Sequence, residues 1–155
     1  MQPGDNNPQP FYFNSCFTHG LDEKRRLQIP YRWKAKLEGE ELTVVLWPKH
    51  RAGACLRLLP PAQMAKLKSD IDALPNTDES KVVLKRFIGS ESAQVPLDKV
   101  GRICLPEELA RKAGITDTAV LVGLLDRIEI WNPERYEQVK IADSAVAGQV
   151  FALME

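Results

Sequence analysis

The segment Asp22-Glu23-Lys24-Arg25-Arg26 sets a carboxylate four residues ahead of a guanidinium, and Asp98-Lys99-Val100-Gly101-Arg102 does so again. Aspartate suits a tight turn because its carboxylate accepts hydrogen bonds from backbone N–H groups just beyond it. The arginine then opens the next strand, and its planar fork matches a phosphate or the acceptor edge of guanine. Two roles are open at this point. Each aspartate can simply pair with its arginine and pin a hairpin, or it can steady an arginine that the turn presents to a polyanion. Three consecutive cations, Lys24, Arg25 and Arg26, are expected to fan outward from the first turn as a phosphate clamp.

Other chemistry is sparse. His19 lies near Asp22, and His50 falls in a loop. Neither is accompanied by a nucleophile motif, a glycine-rich phosphate loop or metal-ligand spacing. Both read as ordinary surface or turn histidines. The chain reads as a non-enzyme, with no cofactor, no metal and no small-molecule substrate. Cys16, Cys55 and Cys104 are odd in number, widely spaced and without a Cys-x-x-Cys pair, so they are expected to be buried, reduced hydrophobes. The first ten residues lack the basic and apolar regions of a secretory signal. The longest apolar-plus-glycine run, Ala119 to Leu125, is too short for a membrane span. A cytoplasmic protein with no membrane partner is expected.

The elements around the two segments repeat with them. Leu21 to Pro30 matches Leu97 to Pro106 at an offset of 76, with Leu, Asp, Arg and Pro at identical places. A helix is predicted after each proline, with Pro30 at its first position, Trp33 and Leu37 facing the core and Gly39 near its end. Two strands then follow in each copy: Leu42 to Trp47 and Cys55 to Leu59 in the first, Val120 to Leu124 and Ile128 to Trp131 in the second. From Leu56 and Ile128 onward the offset falls to 72, so the first copy carries four extra residues in its hairpin. Pro60-Pro61 and Asn132-Pro133 each open a second helix. Met64, Leu67, Ile71 and Leu74 fall on one helical face, as core or subunit interface. Thr77 is the expected N-cap of a further helix that Gly89 ends. A strand is predicted over Phe11 to His19.

The chain has 155 residues, 44% of them apolar, which argues against wholesale disorder. Its 21 basic and 21 acidic residues cancel. That total averages unlike halves. Residues 21–57 hold nine basic and five acidic residues, a balance of +4; residues 98–155 hold seven and ten, a balance of −3. A local basic surface is therefore compatible with a neutral chain.

Two tandem Asp-x-x-x-Arg hairpins, each followed by proline and a helix, resemble a duplicated SpoVT-AbrB fold, and the whole order resembles the MraZ family of bacterial transcriptional regulators. The stretches that carry the resemblance are FTHGLDEKRRLQIP, LPNTD, RFIGSESAQVPLDKVGRICLP, KAGI and VLVGLLDRIEIWNPERYEQV, across roughly residues 13–139. The resemblance implies an α+β fold in which two swapped-hairpin β units form one pseudo-two-fold barrel with peripheral helices. It divides the chain into a flexible tail (1–10), a first repeat (11–74), a linker helix (75–91), a second repeat (92–139) and a C-terminal tail (140–155). It further implies a ring-shaped homo-oligomer, associated with the nucleoid, that binds short direct repeats of double-stranded DNA upstream of cell-division and cell-wall genes. Carried over by position, the DNA-facing residues are Asp22 and Arg26 with Asp98 and Arg102, and Lys24 and Arg25 join them from the basic turn.

One position departs from the family pattern. Glycine usually precedes the arginine; Gly101 keeps it, and Arg25 replaces it in the first copy. If that position needs positive φ, a non-glycine residue costs about 1 kcal/mol there. Either the first turn has changed shape, or the strain is tolerated because Arg25 adds a phosphate contact. Two other readings stand beside the regulator: an AbrB-like antitoxin with a disordered C-terminal arm, and a structural oligomer that has lost DNA binding.

Overall fold

Alternating apolar and polar residues in short runs build eight strands and five helices among the described residues, an α+β arrangement. The computed structural model describes residues 10–48 and 50–155. In the first half β1 (Cys16–Gly20), β2 (Arg26–Gln28) and α1 (Tyr31–Leu37) precede β3 (Thr43–Trp47), β4 (Cys55–Leu59) and α2 (Pro61–Asp72). A connecting helix α3 (Ser80–Ser90) leads to β5 (Ser92–Gln94), β6 (Arg102–Cys104), α4 (Glu107–Lys112), β7 (Thr118–Gly123), β8 (Ile128–Trp131) and α5 (Pro133–Phe151).

Strand pairing crosses between the halves. Six strands form a sheet in the order β1-β7-β8-β4-β3-β5, and β2 pairs with β6 in a separate ladder. The first strand of each half, β1 and β5, sits at an edge of this sheet beside a strand of the other half. In the small ladder Leu27 faces Ile103, while Arg26 faces Cys104 and Gln28 faces Arg102. Leu27 and Ile103 are themselves 76 apart, so a pseudo-two-fold axis passes between them. In the large sheet Arg57 faces Glu129, flanked by Leu56 opposite Ile130 and Leu58 opposite Ile128. Those residues follow the offset of 72, and the same axis passes between Arg57 and Glu129.

The main core lies along this axis. Leu27, Ile29, Trp33 and Leu37 from the first half pack with Ile103, Leu105, Leu109 and Ala113 from the second, together with Leu56, Leu58, Ile128 and Ile130. Trp33 and Leu37 are buried, as their spacing requires. Two smaller clusters cover the outer face. Val45, Leu59, Ile71 and Ile88 hold α2 and α3, with Met64 and Leu67 alongside. Cys55, Val120, Trp131 and Val139 hold α5, with Tyr136 alongside. Met64 and Tyr136, Leu67 and Val139, and Leu59 and Trp131 are counterparts at the offset of 72, so the axis relates the satellites as well. At the axis the Arg57 Nε donates to Glu129 at 3.1 Å, and its guanidinium lies 4.0 Å over the Trp47 ring. The indole N–H of Trp131 donates to the same carboxylate.

Local punctuation differs from expectation in several places. Pro30 is the N-cap of α1 and Tyr31 its first residue. The strand predicted over Phe11 to His19 reduces to β1, with Phe13 in an isolated bridge to Leu125. The Asp78 carboxylate, not Thr77, receives the Ser80 N–H at the start of α3. Gly89 lies inside α3, which continues to Ser90 because the following strand β5 pairs immediately with β3. Only Cys55 is buried; Cys16 and Cys104 are exposed. Both occupy outward positions of alternating strands, where burial is decided by register rather than residue type. The helix α5 continues through Phe151, and a 3₁₀ turn covers Ala152–Met154. The tail expected over 1–10 lies outside the described residues except for Pro10, as does Lys49 of the basic count. No helix among the described residues is long and apolar enough to cross a membrane.

Candidate nucleic-acid interface

Each Asp-x-x-x-Arg segment closes a tight turn through the same bonds. In the first, Asp22 O accepts from Arg25 N at 2.9 Å, and Asp22 N donates to Arg26 O at 3.2 Å. The Asp22 carboxylate accepts from Lys24 N at 3.0 Å and Arg26 N at 2.9 Å on one oxygen, and from Arg26 Nε at 2.5 Å on the other. In the second, Asp98 O accepts from Gly101 N at 3.1 Å and Asp98 N donates to Arg102 O at 2.8 Å. Its carboxylate accepts from Val100 N at 3.0 Å, Arg102 N at 2.9 Å and Arg102 Nε at 2.8 Å. Backbone N–H groups of Arg26 and Arg102, more than the ion pairs, hold the two carboxyls below the usual carboxylate range.

Positive φ is required at the residue before each arginine. Gly101 has φ +83° and Arg25 has φ +58°. The first turn has therefore kept its shape, and Arg25 carries the strain of a left-handed residue. Its side chain does not fan outward with Lys24. Arg25 is half-buried, and its Nε donates to Leu105 O of the second half at 3.0 Å, while its own carbonyl accepts from Leu105 N at 2.9 Å. The expectation of three outward cations is corrected on this point: a carbonyl from the other half captures the middle one.

The β2–β6 ladder sets both turns on one surface. Leu27 and Ile103 point to the core, so Arg26, Gln28, Arg102 and Cys104 share the outward face. Arg102 Nη1 lies 3.9 Å from the Asp22 carboxylate, which links the two turns. Arg26, Asp98, Arg102 and Cys104 border a surface cleft of about 460 Å³. The two turns together hold five cations and three carboxylates. Lys34 from α1 adds a sixth cation, and its stem lies where a Cβ on Gly101 would stand.

Residue-type reasoning passed over two positions that complete this surface. The Gln28 Nε2 donates to Val100 O and Gly101 O, both at 3.1 Å. The Cys104 Sγ donates to Lys24 O at 3.3 Å. Gln28 and Cys104 are counterparts at the offset of 76, and so are Val100 and Lys24. Each half therefore clamps the tip of the other half's turn. The repeat was the available signal, because it puts the two residues at one place.

The two histidines make local contacts. The His50 Nδ1 accepts from Ala52 N at 2.9 Å, and its ring meets Trp131 edge-on. His19 stacks on Phe17 in β1. Among the described residues no cluster of histidine, cysteine and carboxylate side chains has the arrangement of a metal site.

Comparison with known proteins gives the same family by model and by relatives. The family model described as "MraZ protein, putative antitoxin-like" matches residues 88–146. A protein of Herpetosiphon aurantiacus named "Transcriptional regulator MraZ" is 39% identical over 134 residues, covering 84% of this chain and 90% of its own. Proteins of the same name from Rickettsia akari and Thermomicrobium roseum are 33% and 32% identical. They cover 91% and 80% of this chain, and 95% and 84% of their own.

Proposed function

The chain belongs to the MraZ family, and from that premise we propose that it is a DNA-binding transcriptional regulator whose two Asp-x-x-x-Arg turns form the DNA-facing surface. The observation that carries this reading is the pair of identically bonded turns sharing one outward face. Arg26 and Arg102 reach DNA through their terminal nitrogens, while Asp22 and Asp98 fix each guanidinium through Nε. Lys24 meets phosphate as a point charge. Arg25 braces the first turn against the second half and adds a cation beside the backbone of the duplex.

We read the chain as two repeats, 11–74 and 92–139, joined by 75–91, acting in the cytoplasm at the nucleoid. A few phosphate contacts per subunit bind weakly at physiological salt. The reading therefore includes a ring-shaped homo-oligomer that engages successive direct DNA repeats, which multiplies affinity without new contacts. The targets the resemblance implies are promoters of cell-division and cell-wall genes. Relatives are named as regulators, and the reading contains no catalytic step. An antitoxin reading calls for a disordered C-terminal arm, whereas α5 is helical to Phe151.

The deciding experiment combines Arg26→Ala with Arg102→Ala. Fluorescence anisotropy follows binding to genomic duplexes selected by the parent protein, and light scattering follows mass. Loss of binding at unchanged mass is expected; unchanged binding rejects the site. An equal shift on one DNA repeat and on several rejects the ring-dependent part.

A further inference from the structure

The two turns share a backbone and differ at their tips. Lys24 and Val100 are counterparts, each with its N–H held by the turn aspartate at 3.0 Å. Each tip carbonyl is held from across the ladder, by Cys104 Sγ for Lys24 and by Gln28 Nε2 for Val100. The side chains of Lys24 and Val100 therefore leave equivalent, doubly anchored positions. One is a cation and the other a β-branched hydrocarbon with 54% of its surface exposed. Single exposed apolar residues are ordinary on protein surfaces. The place of this one is not ordinary. Turn tips favour Gly, Asn, Asp and Ser, and Val100 stands two residues from Arg102, within the proposed DNA face.

A short, rigid, branched hydrocarbon cannot pair with phosphate, and it has no hydrogen bond to offer a base edge. The apolar feature that duplex DNA displays is the thymine C5 methyl in the major groove. We infer that Val100 is a specificity-determining residue that packs against a thymine methyl, while Lys24 supplies a sequence-independent phosphate contact at the matching point of the other turn. This inference rests on the reading above that the turns face DNA. The double anchoring matters here. Burying one methyl is worth only about a fourfold change in affinity, and a loosely held tip would lose part of that to ordering.

The test uses duplexes selected from a random-sequence pool by the parent chain. Each thymine is replaced in turn by deoxyuridine, which removes only the C5 methyl. At one or more positions the parent should lose roughly fourfold in affinity, and Val100→Ser should lose nothing further there. Lys24→Ala should keep the parent's methyl response and show a salt slope shallower by about one per engaged turn. Urea midpoints of Val100→Ser and the parent should coincide, since the side chain is exposed. The inference is overturned if no thymine responds, or if Val100→Ser responds as the parent does. A change of oligomer mass in Val100→Ser with no methyl response also overturns it, and assigns the residue to a subunit contact. The Arg26→Ala, Arg102→Ala variant on the same duplexes separates the two levels. If it loses binding while no methyl responds, the turns face DNA and only the role of Val100 fails. If it binds as the parent does, the DNA-facing reading itself fails.

Discussion

Gly101 and Arg25 occupy the same left-handed position in two turns, so substituting each in the direction of the other is a sensitive probe of the fold. Gly101→Ala forces an L side chain to φ +83°, at a cost of about 1 kcal/mol. The added Cβ would also stand 2.7 Å from Lys34 Cδ and 3.1 Å from Gln28 Nε2. Moving the lysine stem and disturbing the Gln28 bonds to Val100 O and Gly101 O adds roughly 1 kcal/mol. The expected loss is about 2 kcal/mol. Arg25→Gly relieves about 1 kcal/mol of left-handed strain. Against this it loses the Nε bond to Leu105 O, about 1 kcal/mol at a half-exposed site, and gives the unfolded chain more freedom. The terms nearly cancel, and the variant should lie within about 1 kcal/mol of the parent. Urea unfolding at fixed protein concentration measures both, because any oligomer makes stability concentration-dependent. Lys34→Ala in the Gly101→Ala background should recover about half the loss, by removing the stem the Cβ meets. A Gly101→Ala loss under about 0.5 kcal/mol, or one smaller than that of Arg25→Gly, refutes this account of the turns.

Three further expectations follow from the same geometry. The Asp22 and Asp98 carboxyls should titrate below 3.8 by NMR, and Asp72, between Lys68 and Lys85, at about 2. Their native values are depressed, so their contribution to stability is present above the ordinary carboxylate range and is lost as pH falls through the native values; midpoints at or above 3.8 would contradict the bonding described. Glu129→Gln should cost about 2 kcal/mol by leaving Arg57 in a largely shielded site without its carboxylate, while Arg57→Met with Glu129→Gln, which keeps an amide oxygen for the Trp131 N–H, should stay within about 1 kcal/mol of the parent. Chemical denaturation that ranks the double variant as the worse is the contrary result. Iodoacetamide should label Cys16 and Cys104 in the native protein and Cys55 only after unfolding, because burial pushes that thiol up to about 12; rapid native labelling of Cys55 would contradict its place in the core.

The elements were legible wherever a local rule decides them. Cys55–Leu59 matches its predicted bounds, and Trp33 and Leu37 lie inside, because periodicity alone determines which face is buried. The repeat at offsets of 76 and 72 was legible as well, and in the fold its counterparts Leu27–Ile103 and Arg57–Glu129 pair about the axis. What escaped the sequence depends on distant partners. Arg25 turns inward because Leu105 O stands eighty positions away in the chain. The tip clamps by Gln28 and Cys104 exist only after β2 meets β6. Gly89 reads as a stop, but α3 passes through it before the chain turns directly into β5. Two thiols lie outside because strand register, not hydrophobicity, chose their face.

The axis between Leu27 and Ile103 makes the chain equivalent to two protomers fused end to end. In a pair of identical protomers any substitution appears twice, so both turns would carry the same tip. Covalent fusion lifts that constraint. A change in one turn leaves the other untouched, and the chain holds Lys24 at one tip and Val100 at the other on a nearly symmetric scaffold. Such a surface has a direction. Rotated by half a turn about its own axis it is no longer the same, so it can distinguish the two orientations of a ligand that a symmetric pair would confuse. On DNA that property is strand polarity: a fused chain can fix which way it faces along the duplex, and neighbours set on head-to-tail sites would then all face the same way.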